Sequence, residues 1–497
     1  MFGRSILVLG ILLLFFASPG RTATIRALSC NSTDVNATIV SAKDGDTVAV
    51  PAGNCTWTSP ILISNKGIIL QGAGIDVTNI TLVLDQGLRI HASSGSHVGE
   101  ITGFTFIGSG TVDRAYLAVS IGPFGSERIH HNKFRDGRSR HIVAWSGDRL
   151  LIDHNSFSNI VQAMLLTNTD GKVMSFRKPI NWGGGWDATT EWIFIEDNVF
   201  DHPCGEVSSP YDSQEGAKIV FRHNTVYNGM LVAHAACWSS ATRTGHYASE
   251  IYSNTFIKRN GCQTNSMTNY MGGTLLLHDN RIEYWGTGKW NAERCGGSVT
   301  CPHNWQDART LDTTHACNSS GNMWMYCNGA NNMWCSGSTN TAWYTCNTTV
   351  DNCAAIGMGT CSKKHCSNSW NLCTVDSDCS GGGTCTGYLD NKDAASGRVC
   401  FNGTGAGRLN DVSGRVDSEP MYSWSNSLYT CNSSGGACVF SKSVDISSSN
   451  ISTNSKVNVD FFNNTPKPGY LPYVYPHPLA ELVERLASPT HLRTTSP

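Results

Sequence analysis

The hydrophobic and polar positions of the chain repeat one short pattern six times between residues 129 and 282. Each repeat has an apolar residue, two mostly polar residues, an asparagine, any residue and a second apolar residue. The gaps between the asparagines are 23, 43, 26, 30 and 26 residues, at Asn132, Asn155, Asn198, Asn224, Asn254 and Asn280. The flanking apolar positions are largely β-branched or aromatic and form no helical stripe, which indicates strands. A recurrence of this length is typical of stacked structural repeats.

The asparagine is expected at a corner between two strands. It tolerates a left-handed backbone, and its amide can bond the equivalent amide on the next coil. Stacked coils lie roughly 4.8 Å apart, so equivalent positions form columns. The pattern therefore predicts an all-β chain folded as a parallel β-helix. A β-sandwich with chance similarity is the alternative, but a sandwich has no reason to repeat asparagine at one register.

The repeats and three preceding turn segments, 44–48, 51–53 and 70–74, carry a family resemblance. They resemble the pectate-lyase-like right-handed parallel β-helix superfamily, over roughly residues 30–290 and again near 412–430. The resemblance implies a right-handed coil. That superfamily includes lyases, hydrolases, epimerases and non-catalytic surface proteins. The resemblance therefore implies a fold, and the likeness is greatest to secreted β-helix proteins of undefined function.

Composition and the N-terminus narrow the class of protein. Net charge is −2 and only 15% of the 497 residues are charged, which excludes a basic surface for nucleic acid. Arg4 and the apolar run 6–16 predict a secretory signal peptide ending near residue 23. That run is too short to span a membrane, and no other segment is long and apolar enough. We expect a secreted or cell-surface protein; nothing in the pattern specifies an oligomeric state.

Cysteine usage agrees with export and marks an insertion. Thirteen of the twenty cysteines lie between Cys295 and Cys400, where the asparagine pattern stops. This predicts a disulfide-stapled, cysteine-rich insertion in the β-helix. Cys30 and Cys55 could staple an N-terminal cap. The predicted organisation is a signal peptide (1–23), a capped β-helix (24–290), the insertion (291–411), resumed coils (412–465) and a proline-rich strap with a C-terminal tail (466–497).

Two columns of polar residues precede the asparagines. Two places before them stand His130, Asp153, Glu196, Arg222, Tyr252 and His278. One place before them stand His131, His154, Asp197, His223, Ser253 and Asp279. The columns are expected to form a solvated outer face with ion pairs between coils. The alternative is a strip of carboxylates and imidazoles that binds a cation or performs acid–base chemistry.

The foremost functional prediction is a polysaccharide lyase acting on an acidic glycan. β-Elimination needs a base for the proton beside the carboxyl group and positive charge to neutralise the carboxylate. The candidate catalytic residues are His234, Arg243, Lys178, Asp153 and Glu196. The candidate substrate-binding residues, mostly on long loops, are Trp182, Trp186, Arg177, Lys172 and Glu250. The two tryptophans could stack on sugar rings or cap the core beneath their loop.

Two further interpretations remain open. In pectate-lyase-like enzymes the neutralising cation is often calcium, so the resemblance makes Ca²⁺ a possible cofactor, with Asp153 and Asp197 as candidate ligands; the sequence shows no tight aspartate cluster. Asp153 and Glu196, as neighbours in one column, could instead be the paired carboxylates of a glycoside hydrolase. The alternative from another class is a non-catalytic protein that binds a polysaccharide or cell-surface glycan.

Overall fold

The computed structural model is built mainly of parallel strands. It describes residues 22–84, 87–92, 97–108, 117–121, 126–137, 140–146, 149–167, 182–183, 192–204, 208–213, 217–233, 246, 248–260, 262, 267–270, 274–285, 364–366, 372–373, 385–388, 407–409, 416–418, 421–431, 438–443, 458 and 461–480. Within these residues, no helix is both long and apolar enough to cross a membrane.

Three long sheets hold nearly all of the strands. In spatial order, sheet A contains β1 (Thr24–Arg26), β2 (Thr47–Val50), β5 (Ile69–Gly72), β8 (Gly99–Thr102), β11 (Glu127–His130), β14 (Leu150–Asp153), β17 (Ile193–Glu196), β20 (Lys218–Arg222), β23 (Ala248–Tyr252), β26 (Thr274–His278), β33 (Met421–Trp424) and β36 (Phe461–Asn463). Sheet B contains β3 (Gly53–Trp57), β6 (Thr78–Leu82), β9 (Thr105–Gly108), β12 (Lys133–Gly137), β15 (Ser156–Ile160), β18 (Val199–Asp201), β21 (Thr225–Tyr227), β24 (Thr255–Lys258), β27 (Arg281–Trp285), β34 (Ser427–Cys431) and β35 (Val439–Ser443). Sheet C contains β4 (Ile61–Ser64), β7 (Leu88–Ala92), β10 (Leu117–Ile121), β13 (Ile142–Ser146), β16 (Gln162–Leu166), β19 (Ser209–Ser213), β22 (Leu231–Ala233) and β25 (Thr268–Tyr270).

The chain visits the three sheets in turn. Through the regular coils, each strand pairs in parallel with the strand three places later, so one coil contributes one strand to each sheet. Only β34 and β35 pair antiparallel within these sheets, at one edge of sheet B. The predicted all-β class with long parallel sheets is confirmed, and the strand order is compatible with a β-helix.

Apolar columns fill the space between the sheets. The second apolar position of the repeat places Phe106, Phe134, Phe157 and Phe200 on consecutive strands of sheet B. All four are buried, and their rings stack with centroids 5.3, 4.8 and 4.7 Å apart. Stacked aromatic rings add favourable contact beyond the burial of their apolar area. This register also determines which residues of sheet A point away from the apolar interior.

The cysteine-rich region falls between two adjacent coils. Strand β26 pairs directly with β33 and β27 pairs with β34, with Leu277 opposite Ser423 and Ile282 opposite Leu428. The chain therefore leaves the stack after Trp285 and is back on the adjacent coil at Met421. The described parts of residues 286–420 are two small antiparallel sheets, formed by β28 (Lys364–Cys366), β29 (Leu372–Cys373) and β30 (Cys385–Tyr388), and by β31 (Gly407–Leu409) and β32 (Val416–Ser418).

The N-terminal end contains a helix that we did not predict. Helix α1 (Ser32–Ser41) buries Val35 and Ile39 against the first coil. The disulfide between Cys30 and Cys55 is confirmed and joins this end to β3. Two further disulfides link Cys204 to Cys262 and Cys431 to Cys438. Residues 1–21 of the predicted signal peptide (1–23) lie outside the described residues.

Candidate functional site

The asparagines form a continuous ladder, and their predicted alignment is confirmed. The amide Nδ2 of Asn198 donates to the carbonyl of Ile152 on the preceding coil (2.8 Å) and to that of Glu196 on its own coil (2.9 Å). It also donates to Oδ1 of Asn224 (3.1 Å). The same contacts run from Asn132 to Asn280, and Asn426 extends them past the insertion. The polar columns before the asparagines are therefore in strict register.

The left-handed residue at the corner is the one before the asparagine, not the asparagine itself. Positive φ angles of 51–57° occur at His131, His154, Asp197, His223, Ser253, Asp279 and Ser425. Our expectation was wrong because the asparagine turns inward to bond buried carbonyls, which leaves the turn to its neighbour. Residues of this second column point out of the coil, and His131 and His154 are exposed.

The first polar column is buried rather than solvated. His130, Asp153, Glu196, Arg222, Tyr252 and His278 each expose 6% or less. The expectation of an open outer face was wrong here, because residues 470–480, within the predicted segment 466–497, lie across sheet A; the name strap is kept for residues 470–480 from here on. The strap was predicted as an extended segment, but its position was not.

Arg222 is the central anchor of the strap. Its Nη1 and Nη2 donate to the carbonyls of Tyr473 and Val474, both at 2.8 Å. Its Nε donates to Oε2 of Glu196 at 2.6 Å, and Oε1 of Glu196 accepts the backbone N–H of His477 at 2.8 Å. Burial raises the pKa of Glu196, while Arg222 and the His477 N–H oppose that rise. Both oxygens of the Glu196 carboxylate thus take part in holding the strap.

Asp153 is held by a second buried arginine. Arg128 donates to both carboxylate oxygens, at 2.8 and 2.6 Å, and the Nδ1 atom of His154 lies 2.8 Å from Oδ2. Burial alone would raise the pKa of Asp153, but the hydrogen bonds from Arg128 and His154 lower it to about 2. Asp153 and Glu196 are register partners, as predicted. Each is nevertheless paired with an arginine and shielded from solvent.

The contacts of Asp153 and Asp197 test whether these two residues could bind calcium. Asp153 already has a guanidinium on both oxygens, and Oδ1 of Asp197 accepts from the Tyr475 hydroxyl at 2.8 Å. A hard cation would have to displace a buried ion pair, which is costly. The two aspartates therefore do not fit a calcium site. Among the described residues, the single cluster of three or more His, Cys, Asp or Glu side chains with metal-site spacing is Glu283 with Cys431 and Cys438, whose sulfurs form a disulfide.

Glu250 joins a glycine-rich loop to the strap. Its Oε1 accepts the Gly183 N–H at 2.8 Å, and its Oε2 accepts the Tyr470 hydroxyl at 2.7 Å. The same hydroxyl lies 3.2 Å from Nε2 of His278. Burial raises the pKa of Glu250 to about 7, although these two hydrogen bonds lower it in part. Gly183 has a φ of 62° and leaves no room for a side chain beside the Leu471 carbonyl.

Trp182, beside Gly183 in this loop, packs against the sheet. Its ring lies 5.7 Å from that of buried Trp192, which in turn contacts the strap residue Tyr473 at 5.9 Å. Trp182 is half-buried. These contacts are those of a side chain that caps the core. Capping the core and stacking on a sugar ring were the two interpretations offered for Trp182.

Six predicted site residues lie outside the described residues: Lys172, Arg177, Lys178, Trp186, His234 and Arg243. Their segments do have described ends. The first leaves sheet C after β16 and enters sheet A at β17, and the second leaves after β22 and enters at β23. Strands β16, β19 and β22 are neighbours in sheet C. Both segments therefore connect the same two sheets at one corner, two coils apart, which is about 10 Å.

The sequence did not reveal Arg128 and Arg222 as the anchors of the strap. It also missed Tyr252, whose hydroxyl accepts from Arg222, and the strap residues Tyr470 and Tyr473. One signal could have found Arg222. It follows the apolar run Ile219–Phe221 in strand β20, where a charged residue needs a buried partner. The strand of Arg128, Glu127–His130, carries no such signal. In comparisons with known proteins, no protein-family model and no curated protein matches the chain.

Proposed function

We propose that this is a secreted protein of right-handed parallel β-helix fold that acts on an acidic polysaccharide, foremost as a lyase cleaving by β-elimination. The cyclic order of three parallel sheets supports the fold. The three described disulfides support export, because disulfides persist in oxidising compartments. The signal peptide 1–23 and the resumed coils 412–465 belong to the same proposal.

The shared corner between sheets C and A carries the functional proposal. Two long segments start two coils apart on this corner, and Glu250 fixes the first of them at Gly183. The sequences of these two segments contain four cationic residues, Lys172, Arg177, Lys178 and Arg243, together with His234. Long loops on a rigid scaffold are where binding usually occurs. Clustered cations would attract a uronate chain and stabilise its carboxylate.

In this proposal the residues divide into two roles. His234 or Lys178 takes the proton beside the carboxyl group, since imidazole and amine accept protons more readily than guanidinium. Arg243 and Arg177 neutralise the carboxylate, which makes calcium at Asp153 or Asp197 unnecessary. Lys172 and Trp186 contact flanking sugars, and Glu250 positions the loop through Gly183.

One observation favours a second candidate, a non-catalytic glycan-binding surface protein. The described carboxylates of the first column are buried, paired with arginines and covered by the strap. A glycan binder needs no free carboxylate. A glycoside hydrolase is the third candidate, because Asp153 and Glu196 would have to be released from their arginines before acting as acid and base.

The test is a panel of uronate and neutral glycans, incubated with the full chain with and without Ca²⁺ or a chelator. Ultraviolet absorbance from unsaturated chain ends on uronates alone supports the lyase. New reducing ends without that absorbance indicate a hydrolase and overturn the lyase. Retained binding with no new ends indicates the surface protein. Absence of both binding and cleavage on every glycan overturns the whole proposal.

A further inference from the structure

A pair of exposed histidines stands apart from the corner described above. His131 and His154 occupy the second polar column on adjacent coils, next to register partners His130 and Asp153. Both have left-handed backbones, with φ of 51° and 53°, so their side chains leave the coil. Their rings are parallel within 4°, with centroids 5.0 Å apart. Two imidazoles are thus held side by side at the surface.

The ring of His154 is oriented from behind by a buried carboxylate. Its Nδ1 lies 2.8 Å from Oδ2 of Asp153, which exposes 0% and is fixed by Arg128. Because Asp153 is ionised and can only accept, Nδ1 of His154 carries the hydrogen. The Nε2 atom of the neutral ring is then left with its lone pair directed outward. A carboxylate behind an imidazole is the arrangement that orients histidine ligands in metal sites.

The ring of His131 is oriented by a relay of the same kind. Nε2 of His130 lies 3.0 Å from Oε2 of Glu100, and Nδ1 of His130 lies 2.9 Å from Nδ1 of His131. When Nε2 of neutral His130 donates to Glu100, its Nδ1 must accept. His131 therefore donates from Nδ1, and its Nε2 lone pair also faces outward. The two relays give both rings the same tautomer.

We propose that His131 and His154 bind one divalent transition metal ion of the Zn²⁺, Ni²⁺ or Cu²⁺ class through their Nε2 atoms. Neutral imidazole suits these ions, whereas Ca²⁺ and Mg²⁺ require oxygen ligands. A metal–nitrogen distance of about 2.0–2.1 Å requires the exposed rings to tilt towards each other. Water completes the coordination. Asp197 follows His154 in the same column and adds negative charge nearby.

The site is independent of the proposed glycan chemistry. It lies at the corner between sheets A and B, whereas the loops bearing His234 and Arg243 connect sheets C and A. An experiment that overturns the metal site therefore does not overturn the proposed glycan chemistry, and the reverse also holds.

The test is a calorimetric titration of the untagged full chain, disulfides intact, with Zn²⁺ alone near neutral pH. The wild type should bind one ion at this site, and His131→Ala and His154→Ala should each weaken that binding at least tenfold, since loss of even an outer-shell partner of a ligand costs about 10–100-fold in affinity. Ca²⁺ should not compete. His223→Ala is the matched control, because it lies in the same column but its ring is stacked on Tyr475 at 3.7 Å.

A second readout identifies the ligands directly. With Cu²⁺ as the probe, electron paramagnetic resonance should show nitrogen couplings from two imidazoles in the wild type and from one in either variant. Both histidines are exposed, so unchanged circular dichroism is expected for the variants. Unchanged Zn²⁺ stoichiometry and affinity in both variants, or an equal loss in His223→Ala, would overturn the proposal.

Discussion

One side-chain oxygen of Asn224 accepts two hydrogen bonds from Asn198. Oδ1 of Asn224 accepts the backbone N–H of Asn198 at 3.0 Å and its side-chain Nδ2 at 3.1 Å. Each asparagine therefore closes the turn of one coil and binds the next coil at the same time. Since every rung is buried and fully hydrogen-bonded, the ladder fixes both the stacking register and the positions of the polar columns.

Removal of one rung should be costly. Asn224→Ala removes the two side-chain N–H donors and the Oδ1 acceptor. The carbonyls of Ile195 and Arg222 and the side-chain amide of Asn198 then each lose a hydrogen bond. We expect a loss of about 2–4 kcal/mol in the free energy of unfolding, because buried unsatisfied groups cost about 1–3 kcal/mol each and relax in part. Chemical denaturation measures it.

The matched control for that prediction is Asn79→Ala. Asn79 lies on a strand of sheet B and bonds Asn54 at an exposed position. Its loss should cost less than about 1 kcal/mol, as for other surface substitutions. Equal losses at Asn79 and Asn224 would contradict the role of the ladder.

The strap should depend on the pair Arg222–Glu196. Arg222→Met removes the bonds to the carbonyls of Tyr473 and Val474 and leaves the Glu196 carboxylate buried without its partner. Breaking a buried pair on one side costs about 3–5 kcal/mol. Hydrogen exchange at residues 470–477 and proteolysis near the C-terminus should both increase.

A second substitution separates charge from packing. Glu196→Gln in the Arg222→Met background removes the unpaired charge and keeps an acceptor for the His477 N–H. The double variant should regain part of the lost stability, because the isolated charge is the larger penalty. A double variant less stable than the single one would show that the charge is not what destabilises it.

Stability should carry a pH-dependent contribution from Glu250. Its pKa is about 7 in the folded state, above the ordinary value of 4.5, because the carboxyl is buried. The folded state therefore binds more protons between these values, so this contribution is complete below pH 4.5 and is lost as pH rises through about 7. The expected size is on the order of 3 kcal/mol.

Glu250→Gln isolates this contribution from other groups. Buried His141, His202 and His246 have lowered pKa values through burial and act in the opposite direction as pH falls. Glu127, whose pKa burial raises to about 8, acts like Glu250. The difference in unfolding free energy between wild type and Glu250→Gln should therefore change between pH 5 and pH 8, in favour of the variant at high pH. A constant difference would contradict the raised pKa.

The ladder and its register could be predicted from the sequence because they repeat. A period of stacked asparagines specifies which residues are neighbours even when 43 residues separate them, as for Asn155 and Asn198. The pairing of Cys30 with Cys55 was foreseen as a staple of the N-terminal cap, and the structure contains that disulfide.

The position of the strap could not be predicted, because the segment 470–480 has no repeat and no register of its own. Its backbone is irregular and is placed by side chains of sheet A, chiefly Arg222 and Glu250. Without it, the first polar column was interpreted as a solvated face. The candidate site was predicted only as a set of loops, and the shared corner became visible once β16 and β22 were placed in one sheet.

The most direct measurement of the central claim is the rate of formation of unsaturated products by His234→Ala and Arg243→Ala, singly and together, on the best uronate glycan. The controls are His97→Ala and Arg259→Ala, which remove exposed residues of the same types paired with Asp44 and Asp201 elsewhere. The account predicts a loss of at least about 100-fold for the double variant, the scale of general acid–base catalysis, and wild-type rates for the controls. A double variant that turns over the glycan at the wild-type rate would contradict it.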